Sequence, residues 1–401
     1  MPDGALIGLR ELSITPDGES FMVGDLARGE FIQVPPIAVT VIDALRGGLT
    51  VGDAADLARA EAGQDVDVAD FVQTLREVGF VASIDGVPVG VDGPALNSGG
   101  QAGAVLARLA RPLYTGPAWA CYGILFACCA VLVTAVPWFR PRYSQLYFLP
   151  NPVLSLALLT AITVPLLFLH EVAHWLGARI EGAPARITAG RRYYLIVAQT
   201  DLSALWALPR NRRYGPLLAG MAFDVVVTAL LLAARGAQYL GWWHPVPVVG
   251  RLLAALVLVR VFGISLQFVL FLRTDLYAVL ITRLGCLNLT RISRLRMARR
   301  YRRLSPAEEH ELQSADPRDQ AAARWYGWVQ LSGLLVALFY FAAYFVPATI
   351  HLLSWLVAGL AASSPATSRF WECAGAGCVL LAPAIIPPYT YLRDRQRRLS
   401  R

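Results

Sequence analysis

The sequence predicts an α-helical polytopic membrane protein, with about six transmembrane helices, that carries a small N-terminal α+β domain. Of its 401 residues, 56% are hydrophobic and only 16% are charged. Soluble domains average about 45–50% apolar and about 25% charged residues. Every long apolar run follows residue 112. This composition argues against a soluble enzyme, a disordered chain and a coiled coil.

Charge divides the chain into two halves. Residues 1–97 hold 16 acidic residues and 5 arginines, whereas residues 98–401 hold 12 acidic residues and 31 arginines. No basic segment followed by an apolar one stands at Met1, so we expect no cleavable signal peptide. The expected domains are a head domain at 1–92, a linker at 93–112, a membrane core at 113–290, a basic cytoplasmic loop at 291–325, and a C-terminal transmembrane pair with a basic tail at 326–401.

Six apolar stretches are long enough to cross a bilayer, which takes about 20 residues. They are Pro117–Trp138, Pro152–Ala178, Pro216–Leu240, Val246–Leu272, Tyr326–Ile350 and Phe370–Leu392. The shorter apolar stretch His351–Ser363 is expected to form a separate helix, interfacial or outside the membrane. With six spans, the loops on the side of the membrane opposite to Met1 contain only three arginines, Arg140, Arg142 and Arg369. The positive-inside rule then predicts a multi-pass protein of the cytoplasmic membrane with both termini in the cytoplasm.

The head domain combines strand and helix patterns. Alternating apolar residues predict strands at Leu6–Ile14 and Ser20–Val23. Periodicity and capping residues predict helices at Pro35–Arg46, Thr50–Ala62 and Asp67–Val78, followed by a β ribbon at Phe80–Val89 that turns at Asp85–Gly86. These elements are typical of a winged-helix-like domain. Its excess of acidic residues argues against a nucleic-acid partner, whose phosphates require a basic face.

A zinc-binding motif ends the second predicted span. His170-Glu171-Val172-Ala173-His174 places two imidazoles one helical turn apart on one face, with a carboxylate beside them. Both imidazoles can therefore bind one tetrahedral Zn²⁺. Ionisable residues within an apolar span are energetically costly and usually functional. The alternative is a pair of buried neutral histidines that are hydrogen-bonded to helix carbonyls.

A zinc site needs a third protein ligand, and four residues near the membrane qualify by type. They are Asp224, His244, Asp275 and Glu372. His244 and Glu372 fall at the opposite end of their spans from the two histidines. Asp275 follows the fourth span at the depth of the histidines and is the favoured ligand, with Asp224 in reserve. The alternative for Asp275 is a solvated helix-end carboxylate that pairs with an arginine.

An arginine within a predicted span and an arginine-rich run after the fourth span both need partners for their positive charge. Arg260 lies near the middle of the fourth span and needs a partner, for which Asp224 is the predicted residue. The arginine-rich run Arg291–Arg303 could bind anionic lipid or an acidic partner such as the head domain. The alternative is an ordinary positive-inside anchor.

The order of these motifs resembles the site-2 protease family of intramembrane zinc metalloproteases, and within it the branch of peptide zinc metalloproteases. The matching segments are the His170–His174 motif, Asp201–Ser203 with Trp206, Pro209, Arg210 and Arg213, then Tyr214–Gly220, Asp275–Tyr277 and Cys286–Leu289. The resemblance implies that His170, His174 and Asp275 hold one zinc ion and that Glu171 is the general base.

The same resemblance implies where the substrate binds. The polar segment Ala183–Val197 would form a re-entrant hairpin beside an extended substrate, with Tyr193 and Tyr194 as substrate-binding residues. Water activated by zinc and Glu171 would then hydrolyse a peptide bond of that substrate.

The head domain resembles the PqqD-like leader-peptide recognition domain. The segments that carry this resemblance are Leu45–Val51, between two predicted helices, and Leu75–Val81, at the end of the third. Domains of that family bind the leader of a ribosomally made precursor by adding it as a strand to a sheet. The resemblance implies that residues 1–92 bind such a leader. The alternative is a regulatory or stabilising domain without a peptide ligand.

The sequence thus predicts an intramembrane zinc metalloendopeptidase. Its expected partners are a ribosomally synthesised precursor peptide, whose leader it removes or which it matures, and the lipid bilayer, with no nucleic acid. Two alternatives remain open. One is a regulatory protease that cuts a membrane-bound regulator, and the other is a non-proteolytic membrane protein for peptide binding, export or immunity.

Overall fold

The computed structural model describes residues 2–377, except residues 19, 27, 90–100 and 193–194. The strands are β1 (Ile7–Leu9), β2 (Ser13–Asp17), β3 (Ser20–Asp25), β4 (Glu30–Val34), β5 (Val81–Ile84), β6 (Val87–Pro88), β7 (Arg186–Arg192) and β8 (Leu195–Asp201). The helices are α1 (Pro36–Arg46), α2 (Val51–Ala62), α3 (Val68–Glu77), α4 (Gln101–Ala110), α5 (Gly116–Ala135), α6 (Pro152–Ile180), α7 (Arg210–Tyr239), α8 (Pro247–Gln267), α9 (Asp275–Leu284), α10 (Leu289–Tyr301), α11 (Pro306–Gln313), α12 (Pro317–Tyr340) and α13 (Val346–Ala362).

The head domain contains two antiparallel three-stranded sheets and the three predicted helices. One sheet has the order β2-β3-β4 and the other the order β1-β5-β6. Their apolar faces and those of α1–α3 enclose one core, in which Val23, Ile42 and Phe80 have no exposed surface. The chain in this region therefore forms a small α+β domain.

The helix cap at Thr50 and the turn at Asp85–Gly86 in the head domain form as the sequence predicts. The side chain of Thr50 accepts a hydrogen bond from the backbone N–H of Asp53 while the Asp53 carboxylate accepts one from Thr50, a reciprocal cap of α2. Asp85 and Gly86 both have positive φ, 49° and 78°, in the tight turn of the β5–β6 ribbon.

The predicted strand Leu6–Ile14 was wrong in its extent. The structure divides it into β1, which pairs with β5, and β2, which pairs with β3, because the chain crosses from one sheet to the other around Arg10. Strand β4 was not predicted separately, because only its pairing with β3 distinguishes it from a loop.

Within the described residues, five helical segments are long and apolar enough to cross a membrane. They are Gly116–Ala135, Pro152–Ile180, Arg210–Tyr239, Pro247–Gln267 and Pro317–Ala362. Each corresponds to one of the first five predicted spans. The sixth, Phe370–Leu392, lies mostly outside the described residues and stays a prediction.

The last of these segments is longer than the sequence predicts. Helices α12 and α13 are joined without interruption through a π-helical turn at Phe341–Phe345, so that His351 lies within a continuous 46-residue helix. Pro347 follows the π turn, and its missing N–H and bulky ring require a local adjustment of the helical hydrogen bonds. The separate helix expected at His351–Ser363 was therefore wrong.

The head domain contacts the membrane body through the β2-β3-β4 sheet. All three strands contact a 3₁₀ turn at Ser203–Ala207, and Thr15 Oγ1 donates a 2.6 Å hydrogen bond to the last carbonyl of that turn. Asp17 is only 2% exposed, and its carboxylate accepts a hydrogen bond from Arg210 and lies 3.6 Å from Arg213 Nη2.

Within the described residues, the ion pairs of the basic run Arg291–Arg303, most of which forms α10, join it to a neighbouring helix and not to the head domain. Arg291, Arg299 and Arg302 form ion pairs with Glu311, Glu309 and Glu308, respectively, all on the neighbouring helix α11. Within the described part of the chain, the acids that pair with this run thus come from the loop itself.

Candidate metal centre

Helix α6 brings the two histidines together. Asn151 caps its N-terminus, where its side chain accepts hydrogen bonds from two backbone N–H groups, and Pro152 occupies the first helical position. The uninterrupted helix then places His170 and His174 on one face, 5% and 3% exposed. Their Nε2 atoms lie 3.1 Å apart.

Asp275 reaches the same point from the first turn of α9. Two residues earlier, Arg273 has a positive φ of 55°, which turns the chain sharply between α8 and α9. Gln267, at the end of α8, binds Asp275 twice. Its Nε2 donates to the Asp275 carboxylate (2.9 Å), and its Oε1 accepts from the Asp275 backbone N–H (3.0 Å).

Three possible ligand atoms form a nearly equilateral triangle. Asp275 Oδ2 lies 3.2 Å from His170 Nε2 and 3.3 Å from His174 Nε2, and the two Nε2 atoms are 3.1 Å apart. Ligands at about 2.0–2.1 Å from one tetrahedral zinc ion are about 3.3–3.4 Å from each other. The donor set, two imidazoles and one carboxylate, and its spacing therefore fit a single zinc ion.

The outer nitrogens of both imidazoles are already hydrogen-bonded. His174 Nδ1 donates to the carbonyl of Pro216 (2.8 Å), and His170 Nδ1 lies 3.0 Å from Asp224 Oδ2. A neutral imidazole that donates from Nδ1 carries a lone pair on Nε2. Two lone pairs and a carboxylate oxygen thus converge on one point, where they repel one another unless a cation lies between them.

The predicted pairing of Asp224 with Arg260 is confirmed. Arg260 Nη1 donates to Asp224 Oδ1 at 3.0 Å, and both residues are 8% exposed. Asp224 therefore bridges the guanidinium and His170, on the side of the imidazole that faces away from Asp275. This position orients His170 and leaves Asp275 in the triangle.

Helix α7 packs directly against the triangle at Gly220. A Cβ atom at this position would lie 2.3 Å from His170 Nε2 and 2.4 Å from His174 Nε2. Any side chain at Gly220 would therefore occupy the space of the ligand atoms. The glycine of the sequence segment Tyr214–Gly220 is needed for this close approach.

Glu171 is held by the β7–β8 hairpin. The backbone N–H of Thr200, in β8, donates to Glu171 Oε2 (2.8 Å), and Thr200 Oγ1 donates to the Glu171 carbonyl (2.9 Å). Among the described residues, Thr200 alone is bonded to this carboxylate, which is half-buried beside the histidines. Within the described part of the chain, no side chain or backbone group bonds to the second carboxylate oxygen, Oε1.

The remaining candidates lie elsewhere. The Glu372 carboxylate accepts a hydrogen bond from Asn151 at the opposite end of α6 from the histidines, and His244 is outside the cluster. The hairpin expected over Ala183–Val197 is present as β7 and β8. Tyr193 and Tyr194 lie outside the described residues.

Sequence reasoning missed three groups that support the site. They are the side chain of Gln267, the backbone and hydroxyl of Thr200, and the Pro216 carbonyl. Gln267 left a detectable signal, because a long polar side chain within an apolar run demands a partner. The Thr200 N–H and the Pro216 carbonyl left none, since backbone groups carry no sequence signature.

Comparisons of the chain with protein-family models, with curated proteins and with solved structures found no match. The function must therefore be inferred from the chemistry of the site itself.

Proposed function

We propose that the protein is an intramembrane zinc metalloendopeptidase of the site-2 protease type, which cleaves a ribosomally synthesised precursor peptide recruited by its head domain. The observation that carries the proposal is the triangle of His170, His174 and Asp275, with sides of 3.1, 3.2 and 3.3 Å. Histidine and carboxylate ligands in this number are typical of catalytic zinc sites, which keep a fourth position open.

The ligands and their partners have distinct roles in this proposal. These three residues would hold a zinc ion, which when bound would lower the pKa of water to about 7 and polarise a peptide carbonyl. Asp224 and the Pro216 carbonyl fix both imidazoles with Nε2 directed inward. Gln267 holds the Asp275 carboxylate in the triangle. These bonds limit the reorganisation needed during the reaction.

Glu171 acts as the general base and then as the acid. Thr200 N–H holds one of its oxygens, which leaves the other to accept a proton from the attacking water. The same carboxyl then gives that proton to the nitrogen of the departing amine. A general base in this position contributes about 10²–10⁴-fold to the rate.

The head domain supports the choice of a peptide as substrate. Its β2-β3-β4 sheet lies on the turn Ser203–Ala207, which follows β8 directly in the chain. A leader bound by residues 1–92 would therefore be held on the side of the body where the hairpin reaches Glu171. An extended segment of the precursor can then add to the hairpin, with Tyr193 and Tyr194 as proposed contacts.

The proposal is tested by cleavage assays on the purified full-length chain with a short precursor peptide encoded beside its gene. Glu171→Gln should abolish cleavage, measured by mass spectrometry, while one equivalent of zinc and the affinity for the peptide are retained. Glu181→Gln is the matched control at the end of the same helix, where this residue pairs with Arg212 at the surface, and it should cleave normally.

Other outcomes would overturn the proposal in defined ways. Absence of bound zinc in wild-type protein would remove the peptidase mechanism. Tight binding of the precursor without cleavage would indicate a non-proteolytic peptide receptor. Cleavage of a membrane-bound regulator in place of the precursor would indicate a regulatory protease.

A further inference from the structure

A cavity lies between α10 and the beginning of α12, away from the candidate metal centre. It encloses about 680 Å³, within the range of small-ligand sites. The two helices approach closely beside it, since a Cβ atom on Gly327 would lie 3.3 Å from the Met297 side chain. We call this cavity the α10–α12 groove.

One end of the groove is strongly basic. Arg296, Arg299, Arg300 and Arg324 line it, and no carboxylate does so among the described residues. Arg299 pairs with Glu309, whereas the other three form no ion pair within the described part of the chain. Three guanidinium groups are therefore available to an anionic ligand.

The other end of the groove is apolar and open. Trp328 and Leu331 line it and are 72% and 46% exposed. After Arg324, the chain contains no arginine, aspartate or glutamate as far as Ala362. The groove therefore crosses the boundary between the charged start of α12 and its apolar part, where the bilayer interface is expected.

We propose that the α10–α12 groove binds an anionic phospholipid of the surrounding bilayer. The headgroup phosphate contacts Arg296, Arg300 and Arg324, and an acyl chain lies against Trp328 and Leu331. Charge complementarity and the amphipathic lining both favour this ligand over a soluble anion, which would leave the apolar end exposed. The proposal is independent of the peptidase function.

Lipid binding to the full-length protein in mild detergent tests this proposal. Native mass spectrometry counts bound phosphatidylglycerol and phosphatidylcholine at equal concentrations. The wild type should bind phosphatidylglycerol about tenfold more tightly, and the triple variant Arg296→Gln, Arg300→Gln, Arg324→Gln should lose that preference.

A matched variant removes the same charge outside the groove. Arg283, Arg294 and Arg303 are exposed and do not line it, so their replacement by glutamine should leave the preference intact. Equal losses in both triple variants would overturn the proposal, because they would indicate a diffuse surface charge effect. Equal binding of the two lipids to the wild type would also overturn it.

A further experiment distinguishes a bound lipid from free phosphate as the ligand of the groove. Trp328→Ala should weaken phosphatidylglycerol binding, and inorganic phosphate at the same concentration should not displace the lipid. Displacement by inorganic phosphate, or an unchanged affinity in Trp328→Ala, would assign the groove to a soluble anion and overturn the proposal.

Discussion

At the residue scale, the proposed metal centre depends on the absence of a side chain as much as on its candidate ligands. Gly220 lets α7 approach the two imidazoles so closely that a Cβ atom would lie 2.3 Å from His170 Nε2. Real Cβ atoms do not approach other atoms to this distance, so either the ligands or the helix would have to move.

Gly220→Ala should therefore disrupt the metal site. We expect its zinc affinity to fall at least about tenfold, because a shift of the imidazoles or of α7 would disturb the geometry of the candidate ligands. Metal analysis after dialysis against a chelator measures the effect. Gly236→Ala is the control on the same helix, since a Cβ atom there meets no atom within 4 Å, and it should retain zinc. Full zinc occupancy in Gly220→Ala would contradict the assignment of the site.

A second prediction concerns how the buried pair of Asp224 and Arg260 contributes to the stability of the protein. Replacing either residue by leucine leaves a buried charge without its partner, which destabilises a protein by about 3–5 kcal/mol. Replacing both should be milder, since no unpaired charge remains. Thermal unfolding in detergent of chelator-treated protein measures this without a contribution from metal. Equal destabilisation in all three variants would reject the pairing as a structural tie.

At the element scale, the connection between the hairpin and α7 serves two purposes. Strand β8 holds Glu171 through Thr200, and the turn Ser203–Ala207 that follows it receives the head domain. The buried carboxylate of Asp17 completes this interface against Arg210 and Arg213. Arg213 is only 1% exposed. Without Asp17, this buried cation would be left with two carbonyl groups and an indole ring as its partners and with no negative charge beside it.

Asp17→Asn should loosen the head domain from the body. The substitution removes the charge beside Arg213, and breaking such a buried pair costs about 3–5 kcal/mol. Hydrogen exchange of the peptide that contains Ser203–Ala207 should become faster. Asp43→Asn is the control, because Asp43 is an exposed acid of the same domain that pairs with Arg46 of its own helix. Unchanged exchange in Asp17→Asn would show that the ion pair does not hold the interface.

At the scale of the whole molecule, the two ends of the helical body differ. Helix α7 has 30 residues and is therefore about 45 Å long. The head domain lies at its beginning. Exposed aromatic residues gather near its other end, where Trp138 and Tyr239 pack together and Trp242 follows in the chain. Aromatic residues of this kind are typical of a membrane interface.

The orientation predicted from arginine distribution can be tested in cells. In a cysteine-free background, Trp242→Cys should react with a membrane-impermeant maleimide in intact cells, because the α7–α8 loop is expected outside. Asp65→Cys, at an exposed position of the head domain, should react only after permeabilisation. Labelling of Asp65→Cys in intact cells would reverse the predicted topology.

The elements that could be predicted from the sequence are those that depend on residues close together in the chain. The bounds of α1–α3 follow from periodicity and capping, and the first five spans follow from apolar length. The long helix through His351 was missed because hydropathy does not reveal whether a proline-containing apolar stretch continues a helix or begins a new one.

The order of residues along the chain is enough to predict an acidic α+β head domain, apolar helices of spanning length and two histidines on one helical face. These features depend on spacing along the backbone, which is set by helix and strand geometry. The folded chain was needed to choose Asp275 over Asp224 as the residue beside both histidines, to place Asp224 at the outer nitrogen of His170, and to reveal Asp17 at the interface of the head domain. Each of these contacts joins residues far apart in the chain, and packing of whole elements brings them together.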